Sequence, residues 1–210
     1  RAGRTTRRFH VLSSLNGSRT EFLAGLAAVA PLAVGSIPFG LIYGVLAVNA
    51  GMSPALAIAV SSIVFAGSAQ FMITQLVAAG TPGYLIVASV MTINLRHALY
   101  SADLARKLAH LNPAWKAVLA YLLTDEAYAA ALSRFSGATA EANRHWHLLG
   151  AGLGLWLVWQ ASCLAGVLLG GRIPRRRGVE LRRWNCQADR LRVVGTERPR
   201  GRTSPRRARQ

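Results

Sequence analysis

Ten residues, Asn94 to Asp103, carry much of the chemistry this chain can offer: Asn-Leu-Arg-His-Ala-Leu-Tyr-Ser-Ala-Asp. They place a guanidinium, an imidazole, a phenol, a carboxylate and two neutral hydrogen-bonding groups among Ala, Leu, Ile, Val and Gly. On a helix, Arg96, Tyr100 and Asp103 share one side at spacings of four and three, while Asn94, His97 and Ser101 share a neighbouring side. Such a helix is costly inside apolar surroundings unless its polar side meets partners or a water-filled cavity. The pattern points to a route for a polar solute.

Two more stretches hold groups of the same kind. Phe65 to Phe71 (Phe-Ala-Gly-Ser-Ala-Gln-Phe) supplies the Ser68 hydroxyl and the two-ended amide of Gln70. Their plainer role is to glue one helix to another. Leu123 to Tyr128 brings Asp125 and Glu126 side by side, about 100° apart around a helix. Tyr121 and Tyr128 flank Asp125 at four and three residues. Two charged carboxylates this close repel one another, which is the chemistry of a proton-coupling site. Their plainer role is a helix end at which both acids meet water.

These groups need a scaffold, and the composition says which. Hydrophobic residues make up 52% of the 210 and charged residues 16%, with a formal net charge of +17. Residues 22–171 contain only six basic and four acidic residues, so most of the charge lies at the two ends. Charge banished from a long apolar middle favours a membrane over a soluble fold, and over nucleic acid as a partner. The two cysteines, Cys163 and Cys186, imply neither a disulfide framework nor a metal site. No cofactor motif is present.

Read in order, residues 1–20 are a basic, flexible N-terminal tail, and Thr20 is placed to cap a helix starting near Glu21. Five apolar segments follow, at 22–49, 54–79, 84–108, 114–135 and 147–171. Pro31 and Pro38 should kink or break the first. Pro54 and Pro113 suit first helical turns. Gly40 with Gly44, Gly150 with Gly154, and Gly166 with Gly170 are small-xxx-small pairs for close helix contact. Ser136 to Trp146 reads as a polar loop, with Trp146 and Trp156 as interfacial anchors, or Trp156 and Trp159 as core. Residues 172–210 hold fourteen Arg and no Lys without helix or strand period, and are expected to be disordered. The expected fold is an all-α integral membrane protein with about five transmembrane helices, some broken or kinked. It divides into the N-terminal tail, a membrane domain at 21–171 and a disordered basic C-terminal tail. Orientation stays open. With the N-terminus inside and five simple spans, Arg106, Lys107 and Lys116 fall outside, against the positive-inside rule. A re-entrant segment, an outside N-terminus or a different start would resolve this.

Four stretches taken together resemble the AzlC family of branched-chain amino acid permeases. They are Pro31 to Gly44, Phe65 to Phe71, Asn94 to Ser101 and Leu123 to Ala129, and the likeness covers roughly residues 22–171. The resemblance implies a multi-pass protein of the bacterial inner membrane that exports branched-chain amino acids. It also implies a small AzlD-like membrane subunit as partner. Family members continue with further apolar spans where this chain turns Arg-rich, so residues 172–210 are expected to be read out of frame or to follow a truncation. For such a substrate, Ser68, Gln70, Asn94, Arg96 and Tyr100 are the expected binding residues, and His97, Asp125 and Glu126 the proton-coupling ones. Arg96 suits the carboxylate because its guanidinium stays charged and binds bidentately. Asp125 or Glu126 would take the ammonium or a proton, which His97 could relay. The alternative is that Arg96 and Asp103 pair for structure alone, with each other or with a neighbouring helix. The competing classes are a structural membrane subunit without its own site, and a membrane enzyme using His97 with Asp103 or Asp125. The sequence shows no nucleophile elbow or HExxH pattern for the latter.

Overall fold

A computed structural model describes residues 3–135 and 143–172, with side chains for 17–135 and 143–172. The expected C-terminal disorder at 173–210 and most of the expected polar loop lie outside the described residues. Among those described, all regular structure is helical: α1 (Gly3–Asn49), α2 (Pro54–Ile63), α3 (Gly67–Ala78), α4 (Gly83–Lys107), α5 (Pro113–Tyr121), α6 (Asp125–Phe135) and α7 (Arg144–Arg172). Two stretches, Gly17–Asn49 and Arg144–Arg172, are long and apolar enough to cross a membrane. The starts follow local chemistry. Ser53 and Asn112 each accept a hydrogen bond from a backbone N–H of the first turn, and Pro54 and Pro113 follow them. Gly51 (φ 96°) and Gly80 (φ 68°) make the turns after α1 and α3, a conformation costly to residues with a Cβ.

Two expectations about the first segment need correction. Residues 3–20 do not precede the first helix but belong to it. Their backbone is helical and continuous with α1, so Thr20 lies inside the helix rather than capping it. No proline or glycine pair interrupts the chain there, and the preceding Arg and Leu are good helix formers. Nor do Pro31 and Pro38 break the helix, which runs unbroken through both. Each proline removes only one backbone bond, and α1 is braced along its length by α7.

That brace is a glycine seam. A methyl group added at Gly150 would collide with the Phe22 carbonyl, one at Gly166 with the Leu41 carbonyl, and one at Gly44 with the Cys163 carbonyl. Further along, Gly154 meets Leu26 and Gly170 meets Val45. The paired numbers rise together, so α1 and α7 run parallel. All three small-xxx-small pairs lie in this seam, where small residues let backbones touch.

The breaks fall elsewhere, in the second and fourth segments, and both segments turn back on themselves. α5 starts beside the first turn of α7, where the Trp115 ring lies 5.2 Å from His145 and 5.0 Å from Trp146. It ends beside the middle of α7, where Trp156 Nε1 donates to the Tyr121 hydroxyl (2.8 Å). α6 retraces the path. Its first turn shares a cavity with Leu155 and Trp159, and at its end the Phe135 carbonyl accepts from Arg144. The other pair enters from the opposite end. α2 starts where α1 ends, and its Ser61 reaches Gln160 (3.0 Å). α3 starts beside Trp159 and ends four residues before α4, with Val77 packed against the cluster that contains Val48 and Met52. The two tips meet at mid-height, where the Tyr121 hydroxyl donates to the Ser62 carbonyl and its ring lies 6.3 Å from Phe65. Each leg is 9 to 12 residues, about half of a ~30 Å hydrocarbon core. Segments two and four are thus two helical hairpins rather than two simple spans, and α4 runs the full height between them.

This arrangement sorts the charges. Arg19, Arg106, Lys107, Lys116, Arg134 and Arg144 lie toward the end where α7 begins, and Arg172, in the last turn of α7, lies at the other. The turns at the opposite end, 50–53 and 79–82, hold no charged residue. At the basic end Glu21 of α1 pairs with Arg134 of α6, with Nε to Oε2 at 3.0 Å. Replacing Gly166 by Val should destabilise the protein by at least ~1–3 kcal/mol, because a backbone cannot move aside as a side chain can. Gly171→Val, with open space at that position, should not. Thermal unfolding of both variants in detergent checks this.

Candidate functional site

The tips enclose a cavity of about 150 Å³. Its polar lining comes from four elements and one tip: Ser36 of α1, Ser68 of α3, Arg96 and His97 of α4, Asp125 and Glu126 of α6, and Thr124 between α5 and α6. Phe65, Leu155 and Trp159 supply apolar wall.

Each break is stitched by side chains. At the first, the chain leaves helix over Val64–Ala66 and re-enters at Gly67. Gln70 is fully buried there. Its Nε2 donates to the Val64 carbonyl (2.7 Å) and the Ser61 carbonyl (3.5 Å), and its Oε1 accepts from Trp159 Nε1 (3.2 Å). At the second break the Thr124 hydroxyl accepts from Ala127 N–H (3.3 Å), so Thr124 caps α6. Asp125 and Glu126 occupy the first turn, where the helix dipole favours anions. The α3 start differs. Its cap residue Ala66 offers no side chain to the first-turn N–H groups, and no acid stands in that turn. One helix start at the cavity is therefore capped and acidic, and the other is uncapped.

Arg96 spans the two. Its Nη1 lies 2.6 Å from Asp125 Oδ2, and its Nη2 donates to Ser68 Oγ at 2.7 Å. Both side chains of the ion pair keep over a third of their surface open to the cavity. Arg96 Nε, Asp125 Oδ1 and Asn94 Oδ1 are buried with hydrogen-bonding capacity unused. The expected shared face of Arg96, Tyr100 and Asp103 is present, and all of it turns to α6. Tyr100 stacks on Tyr128 at 4.5 Å, and Tyr128 donates to Asp103 Oδ2 at 3.1 Å. The His97 ring meets Tyr100 edge-on at 6.1 Å. Among the described residues no three His, Cys, Asp or Glu side chains are grouped to hold a metal.

Of the eight residues expected at the site, five line the cavity: Ser68, Arg96, His97, Asp125 and Glu126. Tyr100 stands behind His97. Asn94 lies half-buried on α4 outside the lining. Gln70 is engaged in holding the first break and does not face the cavity. Tyr121 does not share a face with Asp125, because the break separates them. Thr124 and Ser36 were not expected. Thr124 was readable, since a Thr followed by two acids is a helix-start signal. Ser36 carries no such mark.

The AzlC protein family matches residues 31–173. This chain belongs to the AzlC family. Relatives include the inner membrane protein YgaZ of Escherichia coli K12, 31% identical over 155 residues, or 73% of this chain and 62% of that protein. An uncharacterized membrane protein of Archaeoglobus fulgidus is 32% identical over 158 residues, 75% of this chain and 67% of its own length. The match thus spans less than two thirds of the length of YgaZ. No solved structure matches. Both relatives are named as membrane proteins, and the AzlC match covers both hairpins and the whole cavity.

Exchanging Gln70 for Leu should leave the Val64 carbonyl unpaired and cost about 1–3 kcal/mol. Ser68→Ala, beside the cavity, should unfold close to the wild type. Parallel thermal melts in detergent separate the two outcomes.

Proposed function

We propose that this AzlC protein is a secondary transporter of branched-chain amino acids, working in export with a small AzlD-like membrane subunit. The observation that carries the reading is the Arg96–Asp125 ion pair bridging two helix starts inside the cavity. A zwitterion can replace that pair without leaving a charge unmatched. Its carboxylate would take Arg96 and the uncapped N–H groups at the start of α3. Its ammonium would take Asp125, with Glu126 alongside. The aliphatic side chain would lie against Phe65, Leu155 and Trp159. Each charge keeps a counter-charge throughout, which matters at membrane depth because an unpaired charge there is expensive. Glu126 and His97 stand ready to exchange a proton with this group. Broken helices that aim their starts at a mid-depth site are a recurring feature of secondary transporters.

The same reading assigns orientation. With both hairpins re-entrant, a cytoplasmic basic end puts Arg106, Lys107 and Lys116 on the side the positive-inside rule favours and leaves Arg172 on the other. α1, α4 and α7 cross, and α2–α3 and α5–α6 enter from opposite faces. α4 turns an apolar row outward (Tyr84, Val87, Met91, Leu95, Leu99) to lipid or to the partner subunit. In a Cys163→Ser, Cys186→Ser background, Thr81→Cys should label from the outside and Ala109→Cys only from the cytoplasm.

Labelled leucine counterflow in proteoliposomes tests the site. Arg96→Lys should raise the apparent KM roughly tenfold to a hundredfold, the loss of a charged hydrogen bond. Should Arg96 only fasten α3 to α6, the variant would melt earlier with KM unchanged, and the structural-subunit reading would replace this one.

A further inference from the structure

A second cavity, of about 250 Å³, is separate from the first and larger. It is a groove between α4 and α5. Its floor is the buried core of the basic half: Leu104, Leu108, Leu119, Leu123 and Leu148. Its inner end is Ser101 and Leu123, near mid-height. Its outer end is Leu108 and Lys116, in the first turn of α5 at the basic end. From Ser101 to Leu108 the groove follows α4 for about 10 Å. Ala105 and Ala120, both small and exposed, leave its side open to the surroundings.

The chemistry is split along this length. Below Lys116 the lining is apolar apart from Ser101. At the mouth the one charged lining group is a cation. Lys116 Nζ donates to the Ala109 carbonyl at 3.0 Å, which holds the ammonium over the mouth and leaves two of its three donors. Arg106 is exposed on the last turn of α4, beside the groove. The nearest carboxylate on α4, Asp103, is already taken up by Tyr128 and Lys107. A slot that is greasy at depth and cationic at the head-group level matches one molecule class, an anionic phospholipid. A soluble amino acid would leave its own charges unmatched among five leucines.

We propose that this groove binds one anionic phospholipid, with an acyl chain along Leu104, Leu108 and Leu119 and the phosphate on Lys116. The lipid would brace the short α5 leg, whose tip closes one side of the transport cavity. This site is independent of the amino acid reading.

Native mass spectrometry of the full chain tests it, with dioleoyl-phosphatidylglycerol or dioleoyl-phosphatidylcholine at about 0.2 M salt, where contacts of exposed arginines are screened. The expected result is one phosphatidylglycerol retained about fivefold better than phosphatidylcholine. Lys116→Gln should abolish that preference and Lys116→Arg should keep it. Ala120→Leu, which fills the groove from an exposed position, should expel the lipid without touching the core. Equal retention of the two lipids would overturn the proposal. So would a preference that survives Lys116→Gln or Ala120→Leu. Displacement of the lipid by millimolar inorganic phosphate would make this a soluble-anion site and also overturn it.

Discussion

Arg96 holds the centre of this molecule together. Its guanidinium binds the first turn of α3 through Ser68 and the first turn of α6 through Asp125. Those turns belong to two hairpins that enter from opposite ends and otherwise meet only at their tips. A Lys could satisfy one of the two partners but not both in one plane, because it lacks the fixed fork of donors. The ion pair is half open to a cavity rather than sealed. A sealed pair would be a fastener and little else. An open one keeps its charges available while a low-dielectric wall keeps their attraction strong.

The hairpins survive at this depth because side chains pair many of their loose backbone ends and the uncapped start of α3 opens on the cavity. Backbone polar groups in an apolar setting need partners, and irregular segments are tolerated only where protein or a cavity supplies them. Gln70 and Thr124 supply them at the two breaks, and Tyr121 ties the tips by donating to the Ser62 carbonyl. The Gln70 amide has the right composition for substrate contact and the wrong position. Its three partners are carbonyls and an indole of the protein itself.

Much of this was legible in the residues. The turns at Ala50–Ser53 and Thr81–Gly83 and the starts at Pro54 and Pro113 follow from proline, glycine and cap chemistry, which acts over three or four residues. The glycine pairs foretold the α1–α7 seam because only small residues permit such contact. The polar side of α4 foretold a partner, and α6 is that partner. What the sequence hid were reversals of direction. A hairpin and a simple span of equal apolar length share one composition, and Val64–Ala66 carries no turn signal. The Thr124 cap does carry one, masked by the apolar run on either side. The charge asymmetry was the one long-range clue, because Arg106, Lys107 and Lys116 share a side with the basic N-terminal residues only if a segment turns back. The prolines of α1 misled for the opposite reason. Their local cost is real, and the packing of α7 against the same helix outweighs it.

The seam between α1 and α7 has a mechanical consequence. With carbonyls nested against glycines from Phe22–Gly150 to Val45–Gly170, neither helix can slide or roll without steric collision. The pair forms a stator. Any cycle that exposes the central chamber first to one compartment and then to the other has to be worked by the short legs, whose travel is limited by how far Arg96 can reach before it lets go of one of them.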